Sequence, residues 1–85
     1  ALSQNYPNPF NPETSIQFSV ETAGRTTLEI YNILGQKVAT LFDDVAETGR
    51  EYIVKFNGLG MTSGVYFYTL ESGQKKDLKK MLLLK

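Results

Sequence analysis

The amino-acid sequence predicts an all-β fold, an immunoglobulin-like antiparallel β-sandwich of about seven strands. Three observations predict it: apolar and polar residues alternate with a period of two, turn signals recur about every ten residues, and no helical period competes. The chain has 85 residues, which suits one domain and not two. Because it contains no cysteine and no tryptophan, the likeness to immunoglobulins is one of architecture.

The first two predicted strands show the alternation clearly. In "TSIQFSV" the apolar residues Ile16, Phe18 and Val20 point to one face and the polar residues to the other. In "TTLEIYNI" we expect Leu28 and Ile30 to point inward. The intervening "ETAGR" contains a glycine that can take positive φ, which is typical of a turn between antiparallel strands.

The later strands are separated by polar and glycine-rich stretches. "LGQ" is predicted as a tight turn that leads to a short strand, "KVATLF". A polar loop, "DDVAETG", follows, and "REYIVKF" alternates cleanly after it. "NGLGMTSG" is a glycine-rich connection. "VYFYTLES" has large residues on both faces, which indicates a central strand, and "DLKKMLLLK" follows the turn "GQKK". The predicted domain is a single unit, residues 1–85, with a leading segment at 1–13 and the sandwich at 14–85.

The leading segment (residues 1–13) is rich in proline and asparagine. Each proline fixes φ and lacks an amide hydrogen, so a stiff, turning ribbon is expected in place of a paired strand. Asparagine side chains can satisfy nearby backbone groups. We expect Tyr6 and Phe10 to plug the segment onto an open end or edge of the sandwich, either to cover that edge or to form a recognition surface. The residues assigned to this packing are Asn5, Tyr6, Pro7, Asn8, Pro9, Phe10, Asn11 and Pro12.

Composition disfavours several classes of function. The chain has no histidine and no cysteine, so the usual Ser-His, zinc and thiol sites cannot form, and we expect no enzyme activity, no cofactor and no metal. Nine basic and nine acidic residues balance, which argues against a nucleic-acid binder. The longest apolar run, Met81–Leu84, is too short for membrane insertion. No secretion signal opens the chain, so an exported parent protein would carry its signal upstream.

The last predicted strand is the first candidate for partner recognition. Lysines interrupt its apolar residues, and such lysines on an edge strand discourage aggregation. A partner could also add a strand to this edge while the lysines steer its approach. Both interpretations stay open, as does a weak homodimer through an edge. The predicted recognition residues are Gly64, Val65, Tyr66, Lys79, Lys80, Met81, Leu82, Leu84 and Lys85.

Other candidate sites have simpler interpretations. Tyr66 and Tyr68 could stack on a sugar, but burial in a central strand is favoured. Asp43, Asp44 and Glu47 could offer oxygens to calcium, but their spacing does not match an EF-hand, which favours a solvated turn. "GLGMTSG" lacks the lysine of a P-loop.

Four segments together resemble a known family. "LSQNYPNPFNPETSIQFSV", "LEIYNILGQKV", "SGVYFYTLESG" and "KKMLLLK" are similar, in order and spacing, to the C-terminal sorting domain (type A) of the type IX secretion system of Bacteroidetes and related bacteria. The resemblance covers nearly the whole chain. One departure is that "EYIVKF" has no tryptophan, and Phe56 takes that place.

The resemblance implies a non-catalytic secretion signal fused to an upstream cargo domain. An outer-membrane translocon would recognise it, and a sortase-like peptidase would then remove it by cleavage in the linker before or near Ala1 and Leu2. The implied route passes through the periplasm to the outer membrane surface or the medium, and Lys85 would end the protein. The alternatives are an accessory carbohydrate-binding module and a structural immunoglobulin-like spacer of a secreted enzyme.

Overall fold

The computed structural model describes all 85 residues and contains six β-strands and no helix. The all-β class predicted from the sequence is confirmed, and the count of about seven strands is wrong by one. The strands are β1 (Glu13–Phe18), β2 (Gly24–Tyr31), β3 (Lys37–Ala46), β4 (Tyr52–Asn57), β5 (Gly64–Ser72) and β6 (Lys75–Leu83). The leading segment adds no seventh strand before β1, because its prolines limit it to isolated bridges such as those of Leu2 with Phe18 and Tyr6 with Ser15.

The strands form two antiparallel sheets that enclose one core. β1 pairs with β4 in a small sheet, and the larger sheet has the order β3-β2-β5-β6, so that β3 and β6 are its edges. The small sheet gives the core Ile16, Phe18 and Phe56. The larger sheet gives it Leu28, Ile30, Tyr66, Tyr68, Leu70, Met81 and Leu83. The core therefore lies between the sheets, as in a sandwich. No helix with the length and hydrophobicity to cross a bilayer is found.

The alternation in the sequence predicts which side chains of β1 and β2 are buried. Ile16, Phe18, Leu28 and Ile30 are all almost fully enclosed, as predicted. The strand β5 lies between β2 and β6 and is central, also as predicted.

One predicted boundary is wrong. Residues Asp43 and Asp44 belong to β3 and not to a loop, because β3 continues to Ala46, which pairs with Gly24. Arg25 Nη2 contacts Asp43 Oδ1 at 2.8 Å across the two strands, so the carboxylate has a partner within the sheet.

Aromatic contacts close the sandwich at one end of the strands. The ring of Phe18 stacks on that of Tyr52 and meets that of Phe42 edge-on, each at 5.2 Å between centroids. The guanidinium of Arg50 lies 5.1 Å from the centre of the Tyr52 ring. Since Phe42 belongs to the large sheet and the other two rings to the small sheet, this cluster joins the sheets.

At the other end, the leading segment contributes a core residue. Phe10 is 2% exposed and packs edge-on against Phe56, with 6.0 Å between ring centroids. Gly58 allows this packing, because a side chain there would lie 3.0 Å from Leu83 and 3.4 Å from Phe10. The expectation that Tyr6 also packs onto the sandwich is wrong, since Tyr6 is 81% exposed. Its backbone pairs with Ser15, and its ring consequently points to solvent.

Replacing the buried ring tests the role of the leading segment. We expect Phe10→Ala to lower the free energy of unfolding by about 3–5 kcal/mol, because it leaves a cavity between the sheets. The matched control, Tyr6→Ala, should change it by no more than about 0.5 kcal/mol. Urea unfolding followed by circular dichroism measures both, and equal losses in the two variants would contradict this assignment.

Candidate functional site

The first half of the leading segment lies along the outer edge of β1. Ser3 N–H donates to the Gln17 carbonyl at 3.0 Å, and Tyr6 and Ser15 exchange two backbone hydrogen bonds of 2.9 Å. The Ala1 amine donates to the Ser19 carbonyl at 2.7 Å. The edge of the small sheet is therefore covered by the chain that precedes it.

The second half of the leading segment covers part of the outer edge of β6. Phe10 N–H donates to the Leu82 carbonyl at 2.9 Å, and Leu84 N–H donates to the Phe10 carbonyl at 3.0 Å. The Asn8 side-chain oxygen accepts from Leu82 N–H at 3.0 Å, and Gln4 donates to the Lys80 carbonyl at 2.8 Å. The leading segment thus bridges the edges of both sheets.

This coverage limits the predicted strand addition to β6. In a β-strand the backbone N–H and C=O groups of alternate residues point to the same edge. The backbone groups of Lys76 and Leu78 therefore point to the outer edge of β6, as do those of Lys80 and Leu82. No backbone hydrogen bond engages Lys76 or Leu78 on that edge, whereas the edge from Lys80 to Leu84 is occupied. A partner strand consequently finds free backbone only beside the first half of β6.

Two of the predicted recognition residues are buried. Met81 faces the core between the sheets, and Tyr66 is 5% exposed. Their side chains pack the interior, because residues of odd number in β6 and of even number in β5 point inward. Among the other predicted residues, Gly64, Val65, Lys79 and Leu82 are partly accessible, and Lys80, Leu84 and Lys85 are exposed.

The burial of Tyr66 and Tyr68 also answers the question of a sugar platform. Tyr68 is completely buried, and neither ring offers a face to a ligand. The favoured interpretation, packing in a central strand, is confirmed. No other observation favours a carbohydrate site.

A buried polar network fastens the leading segment to both sheets. The Tyr68 hydroxyl donates to the Ser3 carbonyl at 2.8 Å and accepts from Asn5 N–H at 2.9 Å. The Asn5 side chain donates to Thr14 Oγ1 at 3.0 Å and to the Pro7 carbonyl at 3.1 Å. Thr14 in turn donates to the Pro7 carbonyl at 2.9 Å. Because every buried side-chain polar atom has a partner, the network holds the segment in one position.

Burial raises the pKa of Tyr68 above its ordinary value, with a smaller opposing effect of the Asn5 N–H. The folded protein therefore holds this phenol proton more tightly than the unfolded chain, whose tyrosines titrate near a pKa of about 10. The native state then binds more protons than the unfolded state above that pH. The contribution of Tyr68 to stability is complete below about pH 10 and is lost as the pH rises toward its raised pKa.

The variant Tyr68→Phe tests this network in two ways. At neutral pH we expect its free energy of unfolding to be about 1–3 kcal/mol lower, because Ser3 and Asn5 lose their buried partner. Above about pH 10 we expect its stability to fall less steeply than that of the original protein. Urea unfolding from pH 7 to 11 measures both effects, with Tyr6→Phe as the control. An equally steep alkaline fall in Tyr68→Phe would contradict the assignment.

The four segments that carry the family resemblance meet at one end of the sandwich. We call this the motif end; it comprises residues 8–12, 31–37, 57–65 and 82–85. Phe10 bridges to Leu83, and Gly58 N–H donates to the Pro12 carbonyl at 2.7 Å. Lys85 N–H donates to Ser63 Oγ at 3.1 Å. Segments that are far apart in sequence thus form one surface.

A rigid turn presents two large apolar side chains at the motif end. The Asn32 side-chain oxygen accepts from Leu34 N–H at 2.9 Å and from Gln36 N–H at 3.0 Å. Gly35 has φ +81°, which L side chains rarely adopt. Ile33 and Leu34 lie at the tip and are 71% and 77% exposed. The tight turn predicted for "LGQ" is therefore confirmed. The exposure of Ile33 is not predicted by the sequence, because this residue continues the apolar pattern of β2.

A pocket of about 290 Å³ opens beside this turn. Its lining residues are Asn32, Ile33, Leu34, Thr62, Ser63, Gly64, Val65 and Tyr66. The Tyr66 hydroxyl donates to the Thr62 carbonyl at 2.8 Å, and this hydrogen bond holds these two lining residues together. Gly64 has φ +143°, a conformation that residues with a side chain rarely adopt. The pocket brings the predicted recognition residues Gly64, Val65 and Tyr66 next to the turn that carries Ile33 and Leu34.

Charge is unevenly divided between the two halves of the molecule. The half toward the motif end contains only two of the nine acidic residues, Glu13 and Glu29. Its basic residues are Lys37, Lys55, Lys80 and Lys85, with Lys79 at the middle of β6. A hydrogen bond from Tyr31 holds the pKa of Glu29 below its ordinary value, and Lys37 assists at 3.2 Å. Lys55, Lys79, Lys80 and Lys85 make no ion pair.

The fold and this surface define a small all-β recognition module whose signature residues gather at one end. The model of the family described as "Secretion system C-terminal sorting domain" matches residues 4–84. The chain therefore belongs to the family of type IX secretion C-terminal sorting domains, as the resemblance implied. A search of curated proteins finds no match.

Membership supports the general function expected from the sequence. The domain is a sorting signal, which is consistent with the absence of enzyme activity. Such a signal implies a fused cargo, interaction with the type IX machinery and export across the outer membrane.

Proposed function

We propose that this domain is a sorting signal that the type IX translocon recognises as a folded module. The contact surface consists of the motif end and of the adjoining face of β6 that points away from the core, which we call its outer face. The module comprises residues 1–85, and the signal is carried by side chains that only the fold assembles. Lys80, Leu82 and Leu84 lie on that outer face, where Val65 and Phe67 of β5 pair with Leu82 and Lys80.

The observation that carries the proposal is the convergence of all four signature segments at the motif end. Phe10 and Leu83 come from two of these segments and form a backbone bridge, and Ser63 Oγ, from a third, accepts a hydrogen bond from Lys85 N–H at 3.1 Å. A linear peptide that contained only the last residues could not form this surface. Because the backbone edge at Leu82 is occupied by the leading segment, we assign recognition there to side chains.

The second part of the proposal concerns removal of the signal. A sortase-like peptidase requires an accessible, extended substrate, and such segments are exposed and weakly bonded. Ala1, Ser3 and Tyr6 are hydrogen-bonded along β1, so cleavage near Ala1 and Leu2 is disfavoured while the domain is folded. We propose that the scissile bond precedes Ala1, and that the cargo is then released or attached to the cell surface.

A secretion assay tests the proposal. Residues 1–85 are fused behind a reporter that is already directed to the periplasm, in a strain with a working type IX system. We expect the reporter in the medium or on the surface, and a reporter that stays in the periplasm would contradict the proposal. Loss of export in a strain that lacks the translocon is the required control.

Point variants on β6 locate the contact. We expect Leu82→Asp to lower the exported fraction at least tenfold, because it places a charge on the proposed contact face. The matched control is Leu78→Asp, which lies on the same face of the same strand and is 61% exposed. Unfolding curves of both isolated domains must remain close to that of the original. Equal export of the two variants would place recognition elsewhere.

A further inference from the structure

The motif end carries a half-open pocket between residues 32–34 and residues 62–66. Its volume of about 290 Å³ is close to the lower limit for small-ligand sites, which run from about 300 to 1,000 Å³. It therefore accommodates one large side chain better than a whole ligand. Four of its eight lining residues are hydrophobic, so that side chain should be apolar.

The rim of the pocket carries exposed apolar side chains on an ordered turn. Ile33 and Leu34 are large, apolar and more than two-thirds exposed, although burial would be favourable. The bonds of Asn32 fix the turn that carries them, so binding would cost little conformational entropy. Exposed apolar residues in such an ordered position indicate an interaction site.

The charges in the half of the molecule that contains the pocket indicate the chemistry of the partner. Lys85 is bonded to the lining residue Ser63 through its backbone, and its side chain has no ionic partner. Lys80 lies in the half of β6 nearer the motif end, and its side chain also has no ionic partner. The two carboxylates in this half are Glu13 and Glu29, and Glu29 already accepts hydrogen bonds from Tyr31 and Lys37. The surplus positive charge is complementary to an acidic partner.

We infer that the motif-end pocket binds a protein loop that inserts one aromatic or large aliphatic side chain and places carboxylates against Lys80 and Lys85. This inference rests on the proposed function, in which the loop belongs to a component of the translocon. The turn at Ile33 and Leu34 closes over the inserted side chain on one side, and Thr62–Val65 contact it on the other.

A probe with this chemistry tests the pocket directly. N-acetyltryptophan carries an aromatic group and a carboxylate, whereas N-acetyltryptophan amide has the same ring without the charge. In amide-proton NMR titrations we expect both to shift the signals of residues 33–35 and 62–66, with the acid binding about two- to fivefold more tightly. The double variant Lys80→Gln/Lys85→Gln should abolish this difference, and Lys75→Gln/Lys76→Gln should preserve it. Absent shifts, or equal affinities in the original protein, would overturn the inference.

An export assay separates this inference from the proposed function. The variant Ile33→Ser/Leu34→Ser should reduce export of the reporter at least tenfold. Its control, Val45→Ser/Ile53→Ser, replaces two other exposed apolar residues outside the pocket. If the original fusion is not exported, the proposed function fails. If it is exported and Ile33→Ser/Leu34→Ser is exported equally well, the inference alone fails.

A second copy of the chain is the competing occupant, because its opposite end is acidic. Sedimentation of the original domain and of Ile33→Ser/Leu34→Ser distinguishes the two. We expect both to be monomeric up to millimolar concentration. Self-association that the double variant abolishes would assign the pocket to a second copy and overturn the inference.

Discussion

The structure depends on the backbone hydrogen bonds that the leading segment makes with the outer edges of β1 and β6. A two-stranded sheet over a four-stranded sheet leaves β1 and β6 with unpaired edges on the same side, and such edges invite aggregation. Residues 1–6 pair with the first edge and residues 8–10 with the second, and Phe10 fills the space between the sheets. The prolines prevent this stretch from becoming a regular strand that would itself offer a new free edge. One irregular segment thus closes the sandwich on that side.

The same hydrogen bonds determine which groups of the domain a partner can contact. Where the edge of β6 is occupied, a partner cannot recognise the strand through its backbone, and specificity must come from side chains. Those side chains belong to segments that are distant in sequence and adjacent only in the folded state. Under the proposed function, stability and recognition would depend on the same residues. A cargo protein whose tail has not folded would lack the surface, which would make folding of the signal a condition for sorting.

The sequence predicted the parts of the fold that depend on local periodicity. Alternation identified the inward faces of β1 and β2, and the residues on both faces of β5 indicated its central position. The prolines correctly excluded a strand before β1, but local chemistry could not show that Tyr6 would face solvent, because that follows from pairing with Ser15. The burial of Met81 depends likewise on the register of β6 with β5, which a strand with apolar residues on both faces does not specify. The turn at residues 34–36 was predicted, but the exposure of Ile33 beside it was not, because Ile33 continues the apolar pattern of β2.

The net charge of the chain is zero, but the fold separates basic residues from acidic residues. Lys80 and Lys85 lie toward the motif end, whereas most acidic residues lie on the turns and strand ends at the opposite end. At physiological ionic strength the field of such exposed charges decays over about 8 Å. The separation is therefore too short-ranged to attract a distant partner, and its effect is confined to the last approach. Under the proposed function, docking would then depend on charges close to the contact surface and not on the net charge of the fused cargo.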